Sequence, residues 1–303
     1  MKFSIFQESR KGARKANQDR AAYAYTRDCL LMAVADGMGG HLHGEVASQI
    51  AVQMLTEAFQ REAKPKLADP SGFLQKTLAD GHLALREYAA ARSLVDSPRT
   101  TCVACVVQDS TAYWAHVGDS RLYHVRRGRI QVRTRDHSRV QLLVDRGRIR
   151  EEAVAAHPER NKIFNCMGAN TLPQIEMSSP TPLREADTLI LCTDGMWGAL
   201  TGQLITAALM KNDILKAIPE LLDLAELRAG MECDNLSVVA MTWGETRPGA
   251  GAEVSTQTLD LHGVSTQLEN FSASDDGDLS DEEIERAIKE IREAIRKHTG
   301  NKP

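Results

Sequence analysis

An α+β fold, with helices stacked on mostly antiparallel β-sheets, is the class this sequence predicts. Two observations carry it. Short β-rich segments follow one another through tight turns instead of alternating singly with helices, and helical periodicity comes in pairs, once before that run and once after it. "KFSIF", "RAAYAYT" and "CLLMAVA" read as the first strands, rich in aromatic and apolar residues and separated by polar turns. In "GEVASQIAVQMLTEAFQR", Val46, Ile50, Met54 and Ala58 recur every four residues beside Ala47, Ala51 and Leu55, which makes one wide apolar helix face. "SGFLQKTLADGHLALREYAAARS" repeats the pattern with Phe73, Leu74, Leu78, Leu85 and Ala89. "TTCVACVVQ", "TAYWAHVG", "SRLYHVRRG" and "RIQVRT" then form a meander. Helical pieces near 138–146 and 149–156 interrupt it before "PQIEMSS" and "DTLILCT" resume it. Helices at about 201–210 and 213–228 precede a last core strand, "NLSVVAMTW".

Composition narrows the function classes. The 303 residues are 42% hydrophobic and 26% charged, with a net charge of −4, so no overall basic field favours nucleic acid. No apolar stretch approaches the roughly 20 residues that span a bilayer, and "MKFSIFQESRKGARK" lacks the apolar core of a secretory signal. The expectation is a cytoplasmic protein with no membrane or nucleic-acid partner. Cys102 and Cys105 form a C-x-x-C, but a strand puts them on opposite faces and no second Cys or His pair follows, which argues against zinc.

The chemistry sits where strands end. "LLMAVADGMGGH" is an apolar run that stops at Asp36 and continues into glycines; "DTLILCTDGMWGAL" repeats the device at Asp194. An Asp-Gly after a strand is by itself an ordinary turn. Asp119 in "YWAHVGDSRLY" and Asp234 in "MECDNLSVVAM" also abut strand runs, and Asp19 lies in "RKANQDRAAY". Carboxylates gathered at one sheet edge repel each other, and a bound cation resolves the repulsion. An all-oxygen ligand set favours Mg²⁺ or Mn²⁺ over Zn²⁺. Two such ions acidify a shared water to a hydroxide nucleophile and stabilise charge on a phosphoryl group. Phosphatases, nucleases and polymerases all use that equipment, so the metal argument alone leaves the substrate open.

The ordered series "RKANQD", "ADGMGGH", "GEVAS", "TT", "HVGDSRLY", "DHS", "HPERN", "CTDG" and "CDNLSVV" resembles the metal-dependent Ser/Thr protein phosphatase family of the 2C type (PPM) in its bacterial branch, over residues 3 to 243. The resemblance implies two central β-sheets flanked by helix pairs, an α-β-β-α sandwich, within a catalytic domain at 1–244. It implies two Mn²⁺ or Mg²⁺ ions, with Asp36 bridging them, the Gly37 carbonyl on one, and Asp194 and Asp234 on the other. Asp119, with Asp194, resembles the holder of a weaker third ion, and Asp19 the residue that orders metal-bound waters. Arg14 matches the phosphate-binding arginine of the family. Met38 stands where eukaryotic members carry a His, which makes His41 the candidate acid; Gln18 stands where many members have Glu. The implied activity is hydrolysis of phosphoserine and phosphothreonine on proteins, opposing a Ser/Thr kinase. The alternative is a partner-binding regulatory module without turnover. Arg139, Arg146, Arg148 and Arg150, in the stretch that resembles the family's flap, are either a solvated face or a reception surface for acidic phosphoproteins.

After Trp243 the composition turns to Gly, Ser, Thr and acid, which predicts a flexible linker over 245–279. An amphipathic helix is expected at 280–299, with a capping box from Ser280 to Glu283 and a stripe of Ile284, Ile288, Ile291 and Ile295. Such a helix docks on its own chain, self-associates or binds a partner.

Overall fold

The computed structural model describes residues 1–38, 44–244, 253–256 and 263–268. Strands β1 (Lys2–Arg10), β2 (Asp19–Tyr25) and β3 (Cys29–Met38) lead into helices α1 (Gly44–Glu62) and α2 (Pro70–Ala91). The meander runs through β4 (Arg99–Thr100), β5 (Cys102–Gln108), β6 (Thr111–Val117), β7 (Arg121–Arg126) and β8 (Arg129–Arg133). Helix α3 (Arg139–Asp145), a 3₁₀ turn at Glu151–Ala153, and strands β9 (Glu176–Met177), β10 (Thr181–Pro182) and β11 (Thr188–Cys192) follow. Helices α4 (Asp194–Ala199), α5 (Gly202–Lys211) and α6 (Ile214–Ala229) precede β12 (Leu236–Trp243), β13 (Glu253–Ser255) and β14 (Ser265–Leu268).

Helix starts are written locally. Pro70 opens α2 behind Asp69, whose carboxylate accepts the Gly72 N–H, and Asp213 accepts from Leu215 and Lys216 at the start of α6. The strands form two antiparallel sheets. One has the order β13-β1-β12-β11-β7-β8; the other runs β10-β6-β5-β3-β2-β14, with β4 on β3 and β9 on β6. Their facing sides share a core of Phe3, Leu122, Leu189 and Met241 against Leu30, Met32, Val103 and Cys105. The outer face of the second sheet packs on α1 and α2, and that of the first on α4 to α6. The result is the α-β-β-α sandwich. Cys102 and Cys105 do face opposite layers, and all six cysteines are buried and unpaired.

The linker expectation needs correction. Two stretches inside 245–279 are edge strands: Glu253–Ser255 pairs with β1 and Ser265–Leu268 with β2. Thr256 is fully buried, and its hydroxyl donates to the Arg27 carbonyl at 2.6 Å. An edge strand draws on backbone donors and acceptors of its neighbour, so it forms without large apolar side chains. The helix expected at 280–299 lies outside the described residues. Among the described ones, no helix is long and apolar enough to cross a membrane.

Candidate metal centre

Antiparallel pairing of β2 with β3 sets Asp19 opposite Asp36, at one end of the second sheet. The Asp36 backbone is gripped there by two threonines. The Thr101 N–H and the Thr100 hydroxyl both donate to the Asp36 carbonyl, at 2.9 and 2.8 Å, and the Asp36 N–H donates to Thr101 Oγ1 at 3.2 Å. Gly37 is required by close approach: a Cβ there would lie 2.1 Å from the Gly44 carbonyl oxygen and 2.6 Å from that of Gln18.

The first sheet delivers Asp194 and Asp234. Strand β11 ends just before Asp194, and β12, antiparallel to it, starts just after Asp234, so both acids emerge at the same end. A Cβ on Gly195 would sit 2.1 Å from the Asn235 carbonyl oxygen, which is how closely the two tips meet. Asn235 also secures the loop that carries Arg14. Its Nδ2 donates to the carbonyls of Lys11 and Ala16, at 2.8 and 3.0 Å, and its Oδ1 accepts the Gln18 N–H at 2.8 Å. Arg14 is thereby aimed at Asp234 and forks onto it, Nε to Oδ1 at 2.8 Å and Nη2 to Oδ2 at 2.7 Å. A hydrogen bond also ties the two sheets together at this end: Thr193 Oγ1 donates to Asp19 Oδ2 at 2.7 Å. The same oxygen accepts the Ser237 N–H at 2.9 Å, so its single proton is committed to Asp19.

Asp119 occupies the turn where the chain passes from β6 in one sheet to β7 in the other. Its carbonyl accepts the Trp197 indole N–H at 3.0 Å. Arg121 lies over that indole, 3.7 Å from the ring centroid, and forks onto Asp136 at 2.8 and 2.7 Å.

The electrostatics are those of an anionic cluster. Loss of hydration pushes the Asp36 carboxyl well above the ordinary range, and the charges of Asp19, Asp194, Asp119 and Asp234 push it further. Asp119 is raised by burial and then by Asp194 and Asp136. Asp19 is pushed up to about 8, mainly by burial, against the hydrogen bond from Thr193. Asp194 rises to about 6 through burial and the charge of Asp234, with Arg160 and Arg14 opposing. Five carboxylates within range of one another, offset only in part by two guanidiniums, fit a multivalent cation held by oxygen donors.

The structure thus brings together Asp19, Asp36, Gly37, Asp119, Asp194, Asp234 and Arg14. His41 lies outside the described residues. Sequence reasoning missed Thr193, Asn235, Trp197 and the charge of Arg160. Arg139, one of the four basic residues singled out, pairs with Glu159 at 3.1 Å. Asn235→Ala leaves three backbone groups without this partner and is expected to cost about 2–3 kcal/mol, measured by urea unfolding. A loss below about 0.5 kcal/mol would show that the Arg14 loop holds itself.

A model of the protein phosphatase 2C family matches residues 7–214. The serine/threonine protein phosphatase PstP of Mycobacterium tuberculosis is 32% identical over 253 residues, which make up 82% of this chain and 47% of that protein. The chain therefore spans about half the length of that relative. The serine/threonine phosphatase stp of Listeria innocua is 32% identical over 193 residues, 63% of this chain and 76% of that one. The crystal structure of the PstP catalytic domain in complex with two manganese ions superposes with a TM-score of 0.68 at 30% identity, covering 80% of this chain and 98% of that one. The S. agalactiae serine/threonine phosphatase superposes with a TM-score of 0.71 at 28% identity, covering 79% and 99%. With a family model spanning more than half of its length and relatives of this similarity, the chain belongs to the protein phosphatase 2C family.

Proposed function

We propose that the chain is a divalent-metal-dependent protein phosphatase that hydrolyses phosphoserine and phosphothreonine. The observation that carries the reading is the convergence of five carboxylates from both sheets beside a guanidinium with a two-pronged grip. Asp36 would bridge two ions, with the Gly37 carbonyl on one, and Asp194 and Asp234 on the other; Asp119, with Asp194, would hold a weaker third. When bound, Mn²⁺ or Mg²⁺ lowers the pKa of water and balances charge on the phosphoryl group. The two manganese ions of the PstP structure support the stoichiometry. Asp19, fixed by Thr193, would orient water by accepting its protons. The Arg14 fork matches two phosphate oxygens as well as it matches a carboxylate. Protonation of the leaving oxygen is assigned to His41, by its place four residues after Gly37. The partners in this reading are cytoplasmic phosphoproteins and the kinase that modifies them.

The test is phosphate release from a phosphothreonine peptide by metal-stripped protein, with and without Mn²⁺ or Mg²⁺. Turnover that requires added metal is expected. No turnover with either ion would favour the partner-binding module instead.

The tail can be tested separately. Removing residues 270–303 is expected to leave turnover of small phosphoesters unchanged while altering action on a phosphoprotein. Removing 246–303 also takes β13, β14 and buried Thr256, and is expected to lower the melting temperature. Equal melting temperatures for the two truncations would mean that the edge strands contribute nothing to stability.

A further inference from the structure

Outside the carboxylate cluster, His116, His137 and Glu176 bring potential ligand atoms within 4.8 Å of one another. Glu176 on β9 stands opposite His116 on β6, and the two imidazoles stack with centroids 4.7 Å apart. Their hydrogen bonds argue against a metal. The Gly118 N–H points at His137 Nδ1 at 3.0 Å, and the Asn165 side-chain amide lies 2.8 Å from the same atom. Gln174 orients that amide: its N–H donates to Asn165 Oδ1 at 3.0 Å and its carbonyl accepts from Asn165 Nδ2 at 2.7 Å. Two donors therefore meet at His137 Nδ1, which must present its lone pair, and the ring proton sits on Nε2, 3.3 Å from Glu176 Oε2. His116 Nε2 is likewise committed, as a donor to the Arg135 carbonyl at 2.8 Å. His116 Nδ1 and the Glu176 carboxylate are the groups left, too few to hold an ion.

What this arrangement does hold is backbone. His137 clasps Gly118 from both sides, its Nδ1 accepting the Gly118 N–H and its own N–H donating to the Gly118 carbonyl at 3.0 Å. Gly118 has a φ of +103°, and a Cβ there would lie 2.6 Å from Thr101, so this peptide has one way to sit. The next residue is Asp119. On its other side the backbone from His137 to Arg139 ties together the two ends of the segment 139–163. Ser138 caps α3 at the departing end, accepting the Gln141 N–H at 3.2 Å. At the returning end, Arg139 N–H donates to the Lys162 carbonyl and Phe164 N–H to the His137 carbonyl, each at 2.9 Å. The Phe164 ring packs 6.0 Å from the imidazole.

We propose that His137 is a positioning residue that couples the segment 139–163 to Asp119, so that the seating of this segment sets how tightly Asp119 binds a divalent cation. The inference rests on the metal-centre reading given under Proposed function. It follows from geometry: the imidazole and backbone of one residue join the Gly118–Asp119 turn to the base of a segment that also sends the charge of Arg160 toward Asp194. A phosphoprotein that displaces the segment would thereby change the occupancy of the Asp119 ion.

The experiment titrates Mn²⁺ calorimetrically into the metal-stripped full chain and follows amide hydrogen exchange on the same samples. Asp119→Ala is expected to remove the weakest binding step. His137→Ala should weaken that same step about 10- to 100-fold, leave the tighter steps within about twofold, and speed exchange across 139–163 and at Gly118. His137→Asn, which offers an acceptor near the position of Nδ1, should restore binding in part. Asn165→Ala, which removes one hydrogen bond that orients the His137 imidazole without touching Gly118, should weaken the same step; with His137→Asn it decides the matter if His137→Ala does not fold. Faster exchange in the segment with Mn²⁺ binding unchanged would overturn the coupling. So would a titration in which Asp119→Ala alters no step. A wild-type chain that takes up no Mn²⁺ would overturn the metal-centre reading itself, an outcome distinct from either of these.

Discussion

Asp36→Asn is expected to raise the melting temperature of the metal-stripped protein while abolishing turnover. The Asp36 carboxyl is held above its ordinary range first by loss of hydration and then by four neighbouring carboxylates. Neutralising it removes repulsion at no cost in volume. The pH dependence follows from the direction of the shifts. Asp19 rises from 3.8 to about 8 in the folded chain, so the folded state binds its proton more tightly than the unfolded one does. The stability this contributes is fully present below the unfolded value and is lost as pH rises through about 8. Melting temperature of the stripped wild type should therefore fall between about pH 4 and pH 8. The gain from Asp36→Asn should be small at the acid end and reach about 3–6 °C at the alkaline end. Mn²⁺ should reverse the order, stabilising the wild type and not the variant, because the variant lacks the carboxylate proposed to bridge the ions. Scanning calorimetry across pH with and without Mn²⁺ checks all of this. A variant that melts below the wild type at pH 8 without metal would mean that the carboxylates are not in repulsive contact.

Asp36 and Asp194 were legible because each ends an apolar run, and a charge at the tip of a buried strand needs a reason that a turn supplies only once. The residues that aim these acids were not. Thr100, Thr101, Thr193 and Asn235 look like ordinary polar positions flanking strands, and their role depends on hydrogen bonds to residues far away in the chain, such as Thr193 to Asp19. Helix α4 escaped because Gly195 and Gly198 weaken helical propensity, and its first residue reads as a strand tip. Strands β13 and β14 are short, and each pairs with a neighbour distant in the chain whose identity a local pattern does not encode. The layered core was legible for the opposite reason: apolar residues at helical spacing mark a packed face, as in α1, and an unbroken apolar run marks a strand buried on both sides, as in β3. The motif series carried the family and nominated the site residues, which neither pattern could do.

Arg14→Ala separates metal binding from phosphate binding, because the fork of Arg14 engages both oxygens of Asp234, which is also a proposed metal ligand. The Arg14 side chain is 54% exposed and that of Asp234 33%, so the pair contributes about 0–1 kcal/mol to stability and the melting temperature should hardly move. Removing the competitor should tighten Mn²⁺ binding by up to about fivefold. Turnover should go the other way. A phosphate that gains two charge-assisted hydrogen bonds from a fork loses both, and kcat/KM on a phosphothreonine peptide should fall about 100-fold. Arg14→Lys retains the charge without the planar fork and should lie between the two, with most of the loss in KM recovered at low ionic strength. Opposite signs for metal affinity and turnover are the signature of a residue that serves the substrate. Should both fall together in Arg14→Ala, the guanidinium would be a support for Asp234, and the phosphate grip would have to be sought in Arg160, whose charge already reaches Asp194.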